Sequence, residues 1–224
     1  MSNPSTDWVI CLQADDEKIV SGSWDNTIKR WALASGKLER TFTGHTAGVT
    51  CLQYEGDRLV SGSGDKTVRV WSLETGDCLH ILQGHTDLLR CLRFSRGILY
   101  TGSFDETVKL WNLDLLQCVE TLTGHTKGIR SLVVDRERLV VASRDGTVSV
   151  WDLGTSPGIR RTLLWDPLAV NMPKAVLPRV DFGTLETTSE QQGLNDFYFV
   201  QADFRRVVAG SSDCSLKIWD FDTQ

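Results

Sequence analysis

His45, Ser61 and Asp65, and again His85, Thr101 and Asp105, supply the three side-chain types of a hydrolytic triad: a hydroxyl to attack, an imidazole to accept its proton and a carboxylate to orient the ring. Each set is followed by a tryptophan, Trp71 and Trp111. An indole N–H can only donate, so a second chemistry fits the same four residues. The indole donates to the hydroxyl, the hydroxyl to the imidazole and the imidazole N–H to the carboxylate, which satisfies a buried polar chain without solvent or substrate. The spacing separates the two readings. An active centre occurs once, whereas these residues recur at an interval of forty, and no acid/base pair stands outside the recurring sets. A structural role is expected, with no catalytic residue and no enzymatic activity.

The interval runs through the chain. Gly-His falls at 44/45, 84/85 and 124/125, aspartate at 25, 65, 105 and 145, and tryptophan at 31, 71, 111 and 151; Asp213 and Trp219 close a fifth, displaced copy. The frame is best preserved at residues 84–111. A period of about 40–45 residues with Gly-His and a closing tryptophan is the signature of a four-stranded propeller blade. Alternation of period two marks the strands of the first copy at Val9 to Leu12, Lys18 to Ser23, Thr27 to Trp31 and Leu38 to Phe42. Asp25-Asn26, Asp65-Lys66, Asp105-Glu106, Asp145-Gly146 and Asp213-Cys214 suit the tight turns between second and third strands.

The expected fold is therefore all-β, a single repeat domain over residues 1–224 with blades at roughly 7–42, 43–82, 83–122, 123–163 and 197–224. The last copy ends without an outer strand, so an open or incomplete ring is expected. Repeat 4 carries Val141 where the earlier copies have Ser21, Ser61 and Thr101, so its internal bonding must differ. Trp151 to Trp219 spans sixty-eight residues instead of forty, and the surplus falls at 164–196, a stretch with Pro167, Pro173 and Pro178 that reads as an inserted loop after an outer strand from Gly158 to Leu163.

The bulk numbers narrow the partners. A net charge of −5 spread over every repeat offers no basic face for nucleic acid and no polybasic patch for a membrane. No targeting pattern opens the sequence and no stretch approaches the length of a membrane span, so cytoplasm or nucleus is the expected location. Of the six cysteines, Cys11, Cys51 and Cys91 share one repeat position and Cys78 and Cys118 another, too far apart to bridge, and no CxxC pair offers a metal site. They are expected to be buried free thiols. No cofactor, metal or small-molecule substrate is implied.

The complete tetrads His45, Ser61, Asp65, Trp71 and His85, Thr101, Asp105, Trp111 resemble those of WD-repeat (WD40) β-propellers over nearly the whole chain. More narrowly, Val9-Ile10-Cys11-Leu12-Gln13, the run from Lys18 to Ser23 with Asp25 to Lys29, and Leu89 to Phe94 are similar to F-box/WD-repeat proteins of the beta-transducin-repeat type. That resemblance implies a substrate-recognition module of the Ubl conjugation pathway. Such propellers serve cullin-based ubiquitin ligases and bind phosphorylated peptides on the face carrying the Gly-His loops. The F-box itself is absent from this sequence.

In such blades two positions project toward the channel on that face. Here they are occupied by Ile10, Thr50, Arg90, Arg130 and Tyr198, and by Trp24, Gly64, Phe104, Arg144 and Ser212. Arg90, Arg130 and Arg144 suit a phosphate or carboxylate through bidentate charge-assisted bonds, and Trp24, Phe104 and Tyr198 offer apolar anchors. The resemblance thus implies a protein or peptide ligand, phosphorylated or acidic. Ordinary surface arginines on a generic assembly scaffold remain the alternative. The acidic run Asp15-Asp16-Glu17 reads as a solvated turn.

Overall fold

Hairpin turns set the architecture. Asn26, Lys66 and Glu106 adopt φ values of 69°, 71° and 71°, each directly after the aspartate of its repeat. In each of these turns the aspartate Oδ1 accepts the amide and hydroxyl of the following threonine, as Asp65 does from Thr67 at 2.9 and 2.6 Å. The carboxylate therefore fixes a left-handed turn that would otherwise strain a residue with a Cβ. The structure is a computed structural model that describes residues 7–135, 138–153, 160–165, 197–202, 206–212 and 216–220.

Among the described residues five antiparallel sheets follow in chain order. Blade 1 comprises β1 (Val9–Ala14), β2 (Lys18–Ser23), β3 (Ile28–Ala32) and β4 (Leu38–Phe42). Blade 2 comprises β5 (Val49–Glu55), β6 (Arg58–Ser63), β7 (Val68–Ser72) and β8 (Cys78–Leu82); blade 3, β9 (Leu89–Ser95), β10 (Ile98–Ser103), β11 (Val108–Asn112) and β12 (Gln117–Leu122). Blade 4 comprises β13 (Ile129–Val134), β14 (Arg138–Ser143), β15 (Val148–Asp152) and β16 (Arg160–Trp165). Among the described residues blade 5 comprises three strands: β17 (Phe197–Ala202), β18 (Arg206–Ser211) and β19 (Leu216–Asp220). The expected strands of blade 1 are present, β1 running two residues further than its alternation suggests; β16 reaches Trp165, past the expected Leu163. The remainder of the expected insertion, 166–196, lies outside the described residues.

The chain divides into two compact units, Met1–Ser131 and Leu132–Gln224. In the first, the core lies between consecutive blades. Val20, Ile28 and Phe42 of blade 1 pack on Val49, Leu52, Leu59 and Trp71 of blade 2, and Val60, Val68 and Leu82 pack on Leu89, Leu92, Leu99 and Trp111 of blade 3. Each strand offers alternate residues to opposite faces, so one blade serves two cores. Polar side chains reinforce the seam. Gln13 donates from Nε2 to the Tyr54 carbonyl at 3.0 Å and accepts from the Tyr54 amide at 2.8 Å; Gln53 clasps Phe94 in the same way at 3.3 and 2.7 Å. In the second unit Val140, Ala142, Val148 and Val150 pack on Phe197, Val200, Val207 and Ala209.

The cysteines depart from expectation. Cys51 is buried and Cys11 and Cys91 half-buried, but Cys78 and Cys118 are exposed on the outer strands β8 and β12. A shared repeat position carries no guarantee of burial, because the outer strand faces water. The inner thiols sit over glycines of the paired strand: a Cβ at Gly22, Gly62 or Gly102 would stand 2.7 Å from the Sγ of Cys11, Cys51 or Cys91. Burial pushes the Cys51 thiol up to about 11, with Thr50 and Arg90 opposing it only in part. All five described cysteines are free thiols.

Candidate functional site

The two tetrads assemble as polar chains. In blade 2 the Trp71 Nε1–H donates to Ser61 Oγ at 2.8 Å, Ser61 lies 2.8 Å from His45 Nε2, and His45 Nδ1 lies 2.7 Å from Asp65 Oδ2. Blade 3 repeats the distances, 2.8, 2.8 and 2.7 Å, through Trp111, Thr101, His85 and Asp105. An ionised carboxylate only accepts, so Nδ1 carries the proton, Nε2 accepts from the hydroxyl, and the hydroxyl accepts from the indole. Ser61 and Thr101 are fully buried, so neither hydroxyl is presented to a substrate by its polar chain. Gly44 and Gly84 make room for it. They adopt φ of 150° and 153°, and a Cβ would stand 3.3 or 3.2 Å from the Cη2 of Trp71 or Trp111.

Burial works to raise the Asp65 and Asp105 carboxyls. Hydrogen bonds from the histidine, from the threonine of the turn and from a backbone amide outweigh it, and both are held well below the usual carboxylate range. A depressed folded-state pKa stabilises the fold fully above the unfolded value, about 4, and that stabilisation drains as pH falls through the folded values. The urea midpoint of the chain is therefore expected to fall as pH drops below about 4. Asp65→Asn and Asp105→Asn proteins should start lower and lose less over that interval; a parallel decline in wild type and both variants would contradict the assignment.

Blades 1 and 4 solve the same problem differently. In blade 1 the Trp31 Nε1–H donates to Ser21 Oγ at 2.9 Å, and the buried Lys29 ammonium stands 3.4 Å from Asp25 Oδ2, the oxygen that histidine uses in blades 2 and 3. In blade 4 Val141 withdraws the hydroxyl, and the Trp151 Nε1–H turns to Ser149 Oγ at 3.0 Å.

Around the Gly-His loops of the first unit, Arg90 and Arg130 occupy the second residue of β9 and β13, both half-buried. The Arg130 guanidinium lies over the Phe104 ring at 5.5 Å. Arg90 is close enough to the inner strands to act on the Cys11, Cys51 and Cys91 thiols. Thr50, at the same register, is instead buried, its hydroxyl donating to the Leu89 carbonyl at 2.5 Å and the Gly62 carbonyl at 3.2 Å, so it does not face a ligand. Trp24 is 44% exposed. In the second unit, Arg144 follows β14 half-buried and Tyr198 is exposed on β17. Asp15 is spent on its own turn, accepting from the Glu17 and Lys18 amides at 2.9 Å and from the Lys18 ammonium at 2.6 Å.

Sequence reasoning missed one feature of this face. A Cβ at Gly48 would stand 2.3 Å from Trp24 Cε3, and one at Gly128 would stand 2.8 Å from Phe104 Cδ1. Each aromatic therefore rests one side of its ring on a glycine of the following blade. At the intervening junction the sizes are exchanged, with Gly64 and Leu88 in the two positions. Comparing the column Trp24, Gly64, Phe104 with the column Gly48, Leu88, Gly128 would have revealed it.

Comparison with known proteins follows the blades. A family model described as WD domain, G-beta repeat matches residues 2–32, 36–72, 76–112, 116–152 and 191–220. The chain belongs to this family. Matched stretches such as 36–72 and 76–112 begin with the outer strand of one blade and end on the third strand of the next, so sequence repeat and blade are offset by one strand.

Among relatives, the F-box/WD repeat-containing protein 7 of Drosophila melanogaster is 54% identical over 41 residues, 18% of this chain and 3% of that protein. The ribosome biogenesis protein YTM1 of Eremothecium gossypii is 49% identical over 43 residues, 19% of this chain and 9% of that protein. The chain thus aligns with only a small part of these relatives' length. Among solved structures, U3-55K superposes with a TM-score of 0.76 at 27% identity, covering 97% of this chain and 62% of that one. The computationally designed Ika4 protein superposes with a TM-score of 0.64 at 34% identity, covering 69% of this chain and 96% of that one. WD-repeat propellers are protein-interaction modules, and no helix among the described residues is long and apolar enough to cross a membrane.

Proposed function

We propose that this WD-repeat chain is a non-catalytic recognition module that binds an anionic peptide, phosphorylated or acidic, across the Gly-His face, in the manner of substrate receptors of cullin/F-box ubiquitin ligases and in the cytoplasm or nucleus. The observation that carries the reading is the pairing of Arg90 and Arg130 at one register of neighbouring blades, with Phe104 stacked beneath Arg130. A guanidinium stacked on an aromatic ring is weakly hydrated and already oriented, so less freedom is lost when it meets a planar anion. The chain is acidic overall, and two half-buried arginines at one register supply the positive charge an anionic peptide needs. Arg90 and Arg130 pair the charged group, and Trp24 and Phe104 pack apolar side chains of the peptide. Arg144 and Tyr198 are residues of the same types in the second unit.

The test is calorimetry with a library peptide carrying phosphoserine or phosphothreonine and its unphosphorylated twin, against wild type, Arg90→Ala and Arg130→Ala. The phosphopeptide is expected to bind wild type more tightly than its twin, and each substitution to cost about 2 kcal/mol or more. Equal affinities in every combination would favour a scaffold without phosphate dependence, the reading to which the match with a ribosome biogenesis protein lends support.

A further inference from the structure

Blade 1 presents to solvent the apolar face that blades 2 and 3 bury. Val49, Leu52 and Leu73 are 0%, 7% and 2% exposed beneath blade 1, whereas their counterparts Val9, Leu12 and Leu33 are 51%, 66% and 45% exposed. A groove of about 320 Å³ lined by Val9, Ile19, Trp31 and Leu33 runs over this face. Ala14 stands in β1 where Tyr54 and Phe94 stand in β5 and β9. Those two residues receive the glutamine clasps from the preceding blade.

Blade 5 carries the mating half. Leu216 pairs with Gly210 as Val68 pairs with Gly62, yet Leu216 is 53% exposed and Val68 is buried. Phe199, at the position of Cys51, is also exposed. Gln201 pairs with Val208 as Gln13 pairs with Val20 and Gln53 with Val60, so it holds the position of the clasp glutamines. Blades 3 and 4 carry Arg93 and Val133 there, whereas blade 5 has the glutamine, with its side chain exposed.

We propose that two copies of this chain associate head to tail, the Phe199, Gln201 and Leu216 face of one covering the open blade 1 face of the other, with the Gln201 amide bonded to the Ala14 backbone. The contact continues a junction the chain already makes twice within its first unit, with the same apolar face and the same amide-to-backbone pair. It is heterologous, since different surfaces meet, and every copy carries both surfaces. Exposed apolar faces of this extent on a soluble protein mark an interaction site.

Sedimentation velocity of the full chain should show association that grows with concentration. Leu12→Asp, a substitution at an exposed position, should leave the circular dichroism unchanged and give monomers, and Leu216→Asp should do the same. An equimolar mixture of the two should regain a heterodimer, because one intact face remains on each partner. Gln201→Ala should weaken association about tenfold while leaving the fold intact. A wild-type chain that stays monomeric at every concentration overturns the proposal, as does a mixture that stays monomeric while wild type associates, or association of Gln201→Ala at wild-type strength.

Discussion

Trp71→Ala is expected to destabilise the first unit by about 3–5 kcal/mol, the cost of emptying a large aromatic site in a packed core. Trp71 is almost fully buried, meets Phe42 edge-on at 5.9 Å between centroids and lies against the Arg69 guanidinium at 5.8 Å. Its removal also takes away the donor that holds Ser61. Ser61→Ala keeps the indole in place but strands its N–H and the Nε2 of His45, so the smaller loss of about 1–3 kcal/mol is expected. The ratio is what distinguishes a packing residue with a polar handle from a chain held together chiefly by its hydrogen bonds. Hydrogen exchange of the β5, β6 and β7 amides measures it directly, since local opening then reports on the blade concerned. Equal losses in the two variants would mean that the polar chain, and not the indole's volume, governs the stability of the blade.

The tetrads and the strand frame were legible because each rests on local sequence repeated at a fixed interval. His45, Ser61, Asp65 and Trp71 are brought together by one hairpin and one loop, so spacing alone predicts their meeting. The seams between blades were much less legible. The glutamine clasp joins Gln13 to Tyr54, forty-one residues away, and has no signature within a single repeat. The Lys29 to Asp25 pair in blade 1 was hidden for a related reason: Arg69 and Lys109 occupy the same register without such a bond among those described, so the column of basic residues reads as ordinary surface. Cys78 and Cys118 misled in the opposite direction, since identical repeat position suggested burial although the outer strand has water on its far side.

The exchange of sizes between neighbouring blades yields the second large effect. Gly48→Leu alone should force the Trp24 ring off its seat, at a cost of about 1–3 kcal/mol for overpacking. Trp24→Gly alone should cost a comparable amount through lost burial and added backbone freedom. Together they recreate the arrangement of the next junction, where Gly64 and Leu88 hold the same two positions. The double variant should therefore be more stable than the sum of its parts by about 1–2 kcal/mol, a coupling expected only of residues in direct contact. Urea denaturation of the four proteins measures the cycle, and strict additivity would show that the close approach of Trp24 to Gly48 has no energetic consequence. The same cycle separates fold from function. With one side of its ring seated on Gly48 and the other partly open, Trp24 would, on the proposed function, be a rigid platform that binding need not order. The double variant should accordingly recover stability without recovering affinity for the phosphopeptide, whereas recovery of both would remove Trp24 from the binding face.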